Sequence, residues 1–534
     1  MKKIQVSFVV IIMTIVLIGA GTHDSRTEAS KKPYTAVLPT TNEGMSPPAL
    51  VNPAALPAAW SAPENASNTP NFSQTPVATL DGKGNVYICW DEWFGQLGDR
   101  RDIMFNTNKS GAWNAQRTNT LQYPFMDEVG FPEVAATQSG TDAVYVWFDR
   151  DVARARMVVD ADERTGGTWT GLQWISSQVG DSSRRVTIAA STVDDTLGFV
   201  WEQDVPSGVN LIYQYRDGTT GRMSAPALIS GGQAGSQYLP NMCIDAGGKA
   251  HVVYYSGAAD TVVWYTENAN PKNLGGWTTP IALSGVTGVA RVFPKVAAAA
   301  DGDAYVVWTE YHGGGNEEVF LRYQVNGVWQ TAAAISQTPT FSEFPSVAVH
   351  PLTKDVFLSW SESADGITAN IMVKTFETDK TTGTRAWSAN YQVDAANASE
   401  LSCIRVSAQG DVHLVYAEGG EIWHVQRIAP RLAAVAAPAV TSQLDRIVFA
   451  ARKFNTIAFA KNPANDDATL QEYRLYGKKL EDPDTSYAVL ATFTPADTLQ
   501  YVHKNLAVGQ KYAYLVGVVN KAGLELRSGA TVSN

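Results

Sequence analysis

Residues 293–336 read FPKVAAAADGDAYVVWTEYHGGGNEEVFLRYQVNGVWQTAAAIS. Phe293–Ala297 is a short apolar run. Asp301-Gly302-Asp303 carries hairpin-turn chemistry, with a glycine free to take φ > 0. Ala304–Glu310 is rich in β-branched and aromatic residues, as strands are. Gly313-Gly314-Gly315-Asn316 reads as a loop, Val319–Tyr323 as a third strand, Asn326-Gly327 as a tight turn and Trp329–Ser336 as a fourth strand. Four antiparallel strands joined this closely form a meander that cannot bury both of its faces alone. It needs copies of itself on either side.

The copies are present. Pro294 precedes Trp308 by fourteen residues, and the pair recurs as Pro76/Trp90, Pro132/Trp147, Val186/Trp201, Pro240/Tyr254, Pro345/Trp360 and Ser402/Tyr416, each fourteen or fifteen apart. Successive second-strand aromatics are spaced 52 to 57 residues. Spacing within the repeat and between repeats agree independently. The sequence therefore predicts an all-β chain whose residues 59–429 form a seven-bladed β-propeller.

Trp60 lies sixteen residues before Pro76, as Trp113, Trp277 and Trp329 lie 15 to 19 before the next unit, yet no strands precede it. The last unit, Ser402 to about Ile428, shows three strands and no fourth. The segment Trp60–Ser67 is therefore expected to complete it and close the ring. His251 and His413 precede the Tyr254 and Tyr416 that stand in the tryptophan position, and read as residues packed between blades.

At the N-terminus, Met1-Lys2-Lys3 and the apolar run Val6–Ala20 match a secretory signal peptide, assigned to residues 1–29. Residues 30–58, with many Pro, Ala, Thr and Asn and no period, read as a disordered leader. The mature protein is expected outside the cytoplasm, extracellular or periplasmic, with no membrane insertion. A net charge of −11 and the lack of a basic run argue against nucleic acid as a partner. Cys89, Cys243 and Cys403 come from different units without metal-ligand spacing and read as small core residues.

A linker is placed at 430–439, followed by a second domain at 440–534. Leu506-x-x-Gly509-x-x-Tyr512, then Val518-Val-Asn-Lys-Ala-Gly523, resembles the fibronectin type III signature, in which that run forms a tyrosine corner entering the penultimate strand. Tyr473-Arg-Leu-Tyr476 fits the central strand of the same β-sandwich. Phe459 stands in for the usual core tryptophan, since the stretch has none.

Strand direction places candidate ligand-binding residues on one face. Two positions after each Trp or Tyr stand Glu92, Asp149, Gln203, Ser256, Glu310, Glu362 and Glu418. Just before strand one stand Phe131, Arg185, Tyr238, Arg291, Phe293, Phe344 and Glu400, and Trp93, Phe94 and Tyr311 lie close by. The carboxylates have three readings: acceptors of hydrogen bonds from neighbouring blades, a cation site with calcium as the possible ion, or a glycosidase pair.

The turns Asn108-Lys-Ser-Gly-Ala-Trp113, Arg164-Thr-Gly-Gly-Thr-Trp169 and Asn326-Gly-Val-Trp329 resemble the Asp-box turns of sialidase-like secreted propellers, over residues 60–428. The aspartate is missing from the motif position. The resemblance implies an arginine triad for a substrate carboxylate and a Tyr–Glu nucleophile pair, neither of which the sequence assembles. Gly-x-Ser-x-Gly, His-Glu-x-x-His and phosphate-loop motifs are absent. The expected function is a non-catalytic binding protein for a glycan or an extracellular protein, with no required cofactor. A sialidase-type exo-glycoside hydrolase and a structural surface component are the alternatives.

Overall fold

The structure, a computed structural model, describes residues 54–533 apart from short internal stretches, the longest being 118–129. The stretch read as a signal peptide, nearly all of that read as a leader, residues 313–315, and residues 430–433 of the expected linker fall outside the described residues. The described residues are all-β except for one 3-10 turn, Asp484–Ser486. They divide into two compact units, the first reaching Ile428 and the second running from Ala429 to Asn534, with segment 377–386 grouped with the second.

The first unit is propeller-like. Its described residues form seven antiparallel meanders, sheets I to VII in chain order. Their first strands are Phe72–Leu80, Gly130–Ala136, Ser183–Ala190, Ser236–Ile244, Ala290–Ala298, Phe341–Val349 and Ser399–Val406. Five of the sheets are separate, and V and VI are joined by one parallel bridge, Glu317 to Phe341. Each first strand touches the first strand of the next sheet, and the strand of VII touches that of I. The contacts thus run in a closed cycle.

Apolar periodicity explains the stacking. Second strands such as Ala304–Tyr311 are buried on both faces, so each sheet must be covered on two sides. Trp308 packs with Val253, Val263 and Tyr265 of sheet IV, and Trp360 with Tyr305, Val307 and Val319 of sheet V. Trp90, Trp147, Trp201, Trp308, Trp360, Tyr254 and Tyr416 are all fully buried. Each fills the gap to the preceding sheet, which is why the large ring recurs at this one position.

The Phe-Pro pair does not open the first strand, as the sequence reading had it. It sits inside the strand, at a β-bulge. In sheet V the ladder slips between Val292 and Lys295, and in VI between Glu343 and Ser346. Proline is tolerated there because a bulged residue owes no N–H to the ladder. The residue before it adopts left-handed backbone in every sheet: Thr75, Phe131, Arg185, Leu239, Phe293, Phe344 and Leu401 have φ between 48° and 55°. The fourth strand of V is also shorter than the sequence implied, broken into Val328–Trp329 and Ala333–Ala334.

Sheet VII takes its outer strand from the chain start. Glu64–Asn65 pairs antiparallel with His424 and Trp423, and Trp60 bridges Arg427. Ile422 N–H donates to Ser67 Oγ at 2.8 Å and Ala66 N–H to Ile422 O at 2.7 Å. Ala66 then packs with Ala78, Trp90 and Cys403, in the core between sheets VII and I.

The second unit has two sheets. One orders Ala439–Ile447, Ala450–Ala458 and Gln500–Leu506. The other orders Ala488–Phe493, Leu470–Lys479, Tyr512–Asn520 and Glu525–Arg527, with Thr531–Val532 also on Tyr512–Asn520. They share a core of Ile457, Leu470, Tyr473, Leu475, Tyr514 and Val516, against which Phe459 packs. Gly509 supplies φ +85° at the turn before Tyr512, where a side chain would be strained.

Candidate functional site

The seven bulges surround an axial cavity of about 430 Å³ in the first unit. Phe131, Phe293, Phe344 and Leu239 line it at the bulge level, and alanine, valine and isoleucine side chains line it further along the strands. Phe293 and Phe344 meet at 4.5 Å between ring centroids. Glu133 of sheet II and Lys295 of sheet V approach to 3.8 Å.

The carboxylates two residues past the tryptophans are tied up in their own sheets. Trp90 Nε1–H donates to Glu92 Oε2 at 3.0 Å, Trp308 to Glu310 Oε1 at 2.9 Å and Trp360 to Glu362 Oε2 at 2.7 Å. Trp201 makes the same bond to Gln203 Oε1 at 3.2 Å. Residues i and i+2 share one face of a strand, so a buried indole finds its acceptor there. Glu92 also accepts from Thr69 and Asn71, and Glu362 from Thr340 and Ser342. Glu418 is half-buried, and the side chain of Asp149 lies outside the described residues.

Acceptance from the neighbouring sheet occurs one position earlier. Leu239 N–H of sheet IV donates to Glu202 Oε1 of III at 2.8 Å, and Leu401 N–H of VII to Ser361 Oγ of VI at 3.3 Å. Both donors are left-handed bulge residues. Sequence reasoning looked for this job at Glu92 and its equivalents. The alternation of strand faces gives it to the residue that follows the tryptophan.

The two candidate arginines also meet carboxylates. Arg291 Nε donates to Glu310 Oε1 at 2.8 Å, both residues buried. Arg185 lies 3.5 Å from the buried Glu202. Burial pushes the Glu202 carboxyl up and the Arg185 charge pulls it down, with burial the larger effect. A guanidinium already neutralised in this way is poorly placed to take a ligand carboxylate. Tyr238 is buried, 5.6 Å from Tyr255 between centroids, and its ring covers Gly257, where a Cβ would come within 2.4 Å. Trp93 is half-buried at the end of its strand, paired with Phe72 and Arg101.

Tyr311 sits differently. Its hydroxyl donates to Glu343 Oε1 of the next sheet. Tyr311 pairs with Glu317 across the sheet V hairpin. Glu317 is 6% exposed, and its Oε2 is buried without a hydrogen-bond partner among the described residues. Burial and then the nearby Glu343 raise its carboxyl to about 7, so Glu317 is half-protonated near neutrality. Burial raises Glu343 as well. Glu310, with Arg291 and with His312 at 3.7 Å, lies one residue away on the opposite face of the strand. Sequence reasoning named Tyr311 but missed Glu317 and Glu343. Glu317 opens a Glu-Glu pair after Asn316, and Glu343 lies one residue before Phe344, within the bulge.

Among the described residues, no three His, Cys, Asp or Glu side chains come together as a metal site. His251 is fully buried between Asp245 and Tyr265, at 3.2 and 2.7 Å. Asp303, at the turn between the first two strands of sheet V, accepts from Asn326 N–H at 3.0 Å and Gly327 N–H at 2.7 Å.

No protein-family model matches the chain, and no curated protein matches it in sequence. Among solved structures, the polysaccharide lyase Uly1 aligns at 11% identity and TM-score 0.47, covering 66% of this chain and 89% of that one. The intramolecular trans-sialidase from Ruminococcus gnavus aligns at 12% and 0.40, covering 68% and 95%. A protein of unknown function from Dyadobacter fermentans aligns at 11% and 0.43, covering 70% and 100%.

Proposed function

We propose that this is a secreted or cell-surface binding protein that holds a glycan or an extracellular protein at the bulge-bearing face of a seven-bladed propeller, without turnover. In this reading residues 59–429 are the propeller, 430–439 a linker and 440–534 a fibronectin type III-like spacer, after a signal peptide at 1–29 and a leader at 30–58. The observation that carries it is the internal pairing of Arg185 with Glu202 and of Arg291 with Glu310. With those charges spent, the mouth of the cavity offers the rings of Phe131, Phe293 and Phe344 as its main contact surface. Aromatic walls with few polar groups suit the stacking of a sugar ring or a partner's apolar anchor.

The test is a glycan array probed with residues 30–534, once with calcium and once with EDTA. Saturable binding to a defined sugar that Phe293→Ala weakens about tenfold supports the glycan reading. Loss in EDTA assigns a cation to the site. A blank array overturns the glycan ligand and leaves a protein partner or a structural role.

One observation favours a second reading. Tyr311, Glu343 and the partly protonated Glu317 are the groups an exo-glycoside hydrolase of sialidase type needs: a phenol, its carboxylate partner and an acid. Release of aryl alcohol from an aryl glycoside, abolished by both Tyr311→Phe and Glu317→Gln, would establish it. No release from a panel of aryl sialosides, hexosides and uronides would reject it.

A further inference from the structure

Three residues past the bulge proline, or its Val and Ser equivalents, the first strands carry Thr79, Ala135, Ala189, Cys243, Ala297 and Ala348 in sheets I to VI, and Arg405 in sheet VII. All seven line the axial cavity. At this level six small side chains therefore surround one guanidinium. At about 3.3 Å per residue, it lies roughly 10 Å along the strand from the bulge proline.

Arg405 differs from the other first-strand arginines. Arg184 meets Asp204, Arg185 meets Glu202 and Arg291 meets Glu310. The other cavity cations are also matched, Arg185 as above and Lys295 by Glu133. Arg405 donates only to the carbonyl of its neighbour Ile404, at 2.8 Å, and has no carboxylate partner among the described residues. Its charge reaches the interior of the ring: burial drives the Cys243 thiol up, and Arg405 of sheet VII pulls it back from three sheets away. A half-buried guanidinium with most of its five donors unspent, in a walled cavity, lacks an anion.

We infer that the cavity takes a small organic anion, an aliphatic or aromatic monoacid, with its carboxylate on Arg405 and its apolar body along the Ala, Val and Ile walls. A volume of about 430 Å³ lies in the range of small-molecule sites. Beside Arg405 the lining includes Thr79, Asn241, Ser346 and Ser402, but much of it is alanine, valine and isoleucine, which suits an apolar ligand body. The small ring is what makes room: leucine at the half-buried Ala189 or Ala297 would occupy the space the ligand body needs. The site lies deeper than the bulge-level mouth and is independent of the glycan reading.

Isothermal titration of the whole chain with hexanoate and benzoate tests the inference, with hexanol, benzyl alcohol and sulfate as controls. One acid should bind saturably with one site per chain, at least tenfold tighter than its alcohol and than sulfate. Arg405→Met should weaken it at least tenfold, and Arg405→Lys, which keeps the charge but not the planar fork, at least threefold. If Arg405→Met does not fold, the Arg405→Lys and Ala297→Leu variants decide, Ala297→Leu weakening the larger acid more than the smaller. Absence of saturable binding by either acid overturns the inference. So does equal binding of acid and alcohol, or an affinity within twofold of the unmodified chain in the arginine variants.

Discussion

The indole N–H of Trp308 donates to Glu310 Oε1, two residues further along the same strand, and the same oxygen receives Nε–H of Arg291 from the adjacent first strand. One carboxylate thus fixes a core ring and a buried cation together. Trp308→Phe removes the donor and leaves a cavity where the indole's second ring packed, and should cost about 3 kcal/mol or more by denaturant titration. Glu310→Gln leaves Arg291 buried without its anion and should cost about 3 kcal/mol. If ligand binding falls while stability is unchanged, the carboxylate has a functional role instead.

Glu317 gives the stability a pH dependence of known sign. Its folded value of about 7 lies above the ordinary glutamate value, so the folded state binds the extra proton. Its contribution is fully present below about pH 4.5 and is lost as pH rises through 7. Glu317→Gln, neutral at every pH, should therefore raise the melting temperature at pH 8 and change it little at pH 5. The gain is on the order of 3 kcal/mol. Equal shifts at both pH values would refute the assignment.

Thr75 occupies left-handed backbone at φ 49°, and its buried Oγ1 has no partner among the described residues. A β-branched residue is costly there. Thr75→Gly should stabilise the protein by about 1 kcal/mol, read as a higher denaturation midpoint with an unchanged slope. Destabilisation would mean that the methyl group or hydroxyl makes a contact worth more than the strain.

Ser67 Oγ both accepts from Ile422 N–H at 2.8 Å and donates to Glu421. Ser67→Ala should cost about 1–2 kcal/mol. Deleting residues 59–70 should cost far more, because sheet VII would lose its outer strand and the core between VII and I would lose Ala66. A deletion that unfolds with the intact chain's midpoint would show that these contacts carry little.

Much of this was legible from one strand pair. The Trp-to-Trp spacing follows from a meander of fixed strand and turn lengths, so the seven repeats and the need for stacking were readable. What lay beyond reading was the bulge. Pro294 looks like a strand opener, because proline in a strand interior is normally excluded; only the ladder slip between Val292 and Lys295 shows where it fits. The equivalent slips in sheets VI and IV hold Glu343, which meets Tyr311, and Leu239, whose N–H goes to Glu202 rather than Gln203. A single-residue offset reverses which face a side chain takes, and composition carries no trace of it. Arg405 was passed over for a related reason: its singularity emerges only when the seven first strands are aligned on the bulge.

The bond between Ser67 and Ile422 spans 355 residues of chain. Strands so far apart in sequence meet only after everything between them has been made, so the ring has a last stitch. During synthesis from the N-terminus, residues 64–65 emerge early and wait unpaired for the strand Glu421–Arg427. Until it arrives, sheet I has an uncovered apolar flank at Ala78, Ile88 and Trp90, a surface prone to stick to other chains. A ribosome stalled near residue 400 would therefore release an open arc rather than a smaller ring.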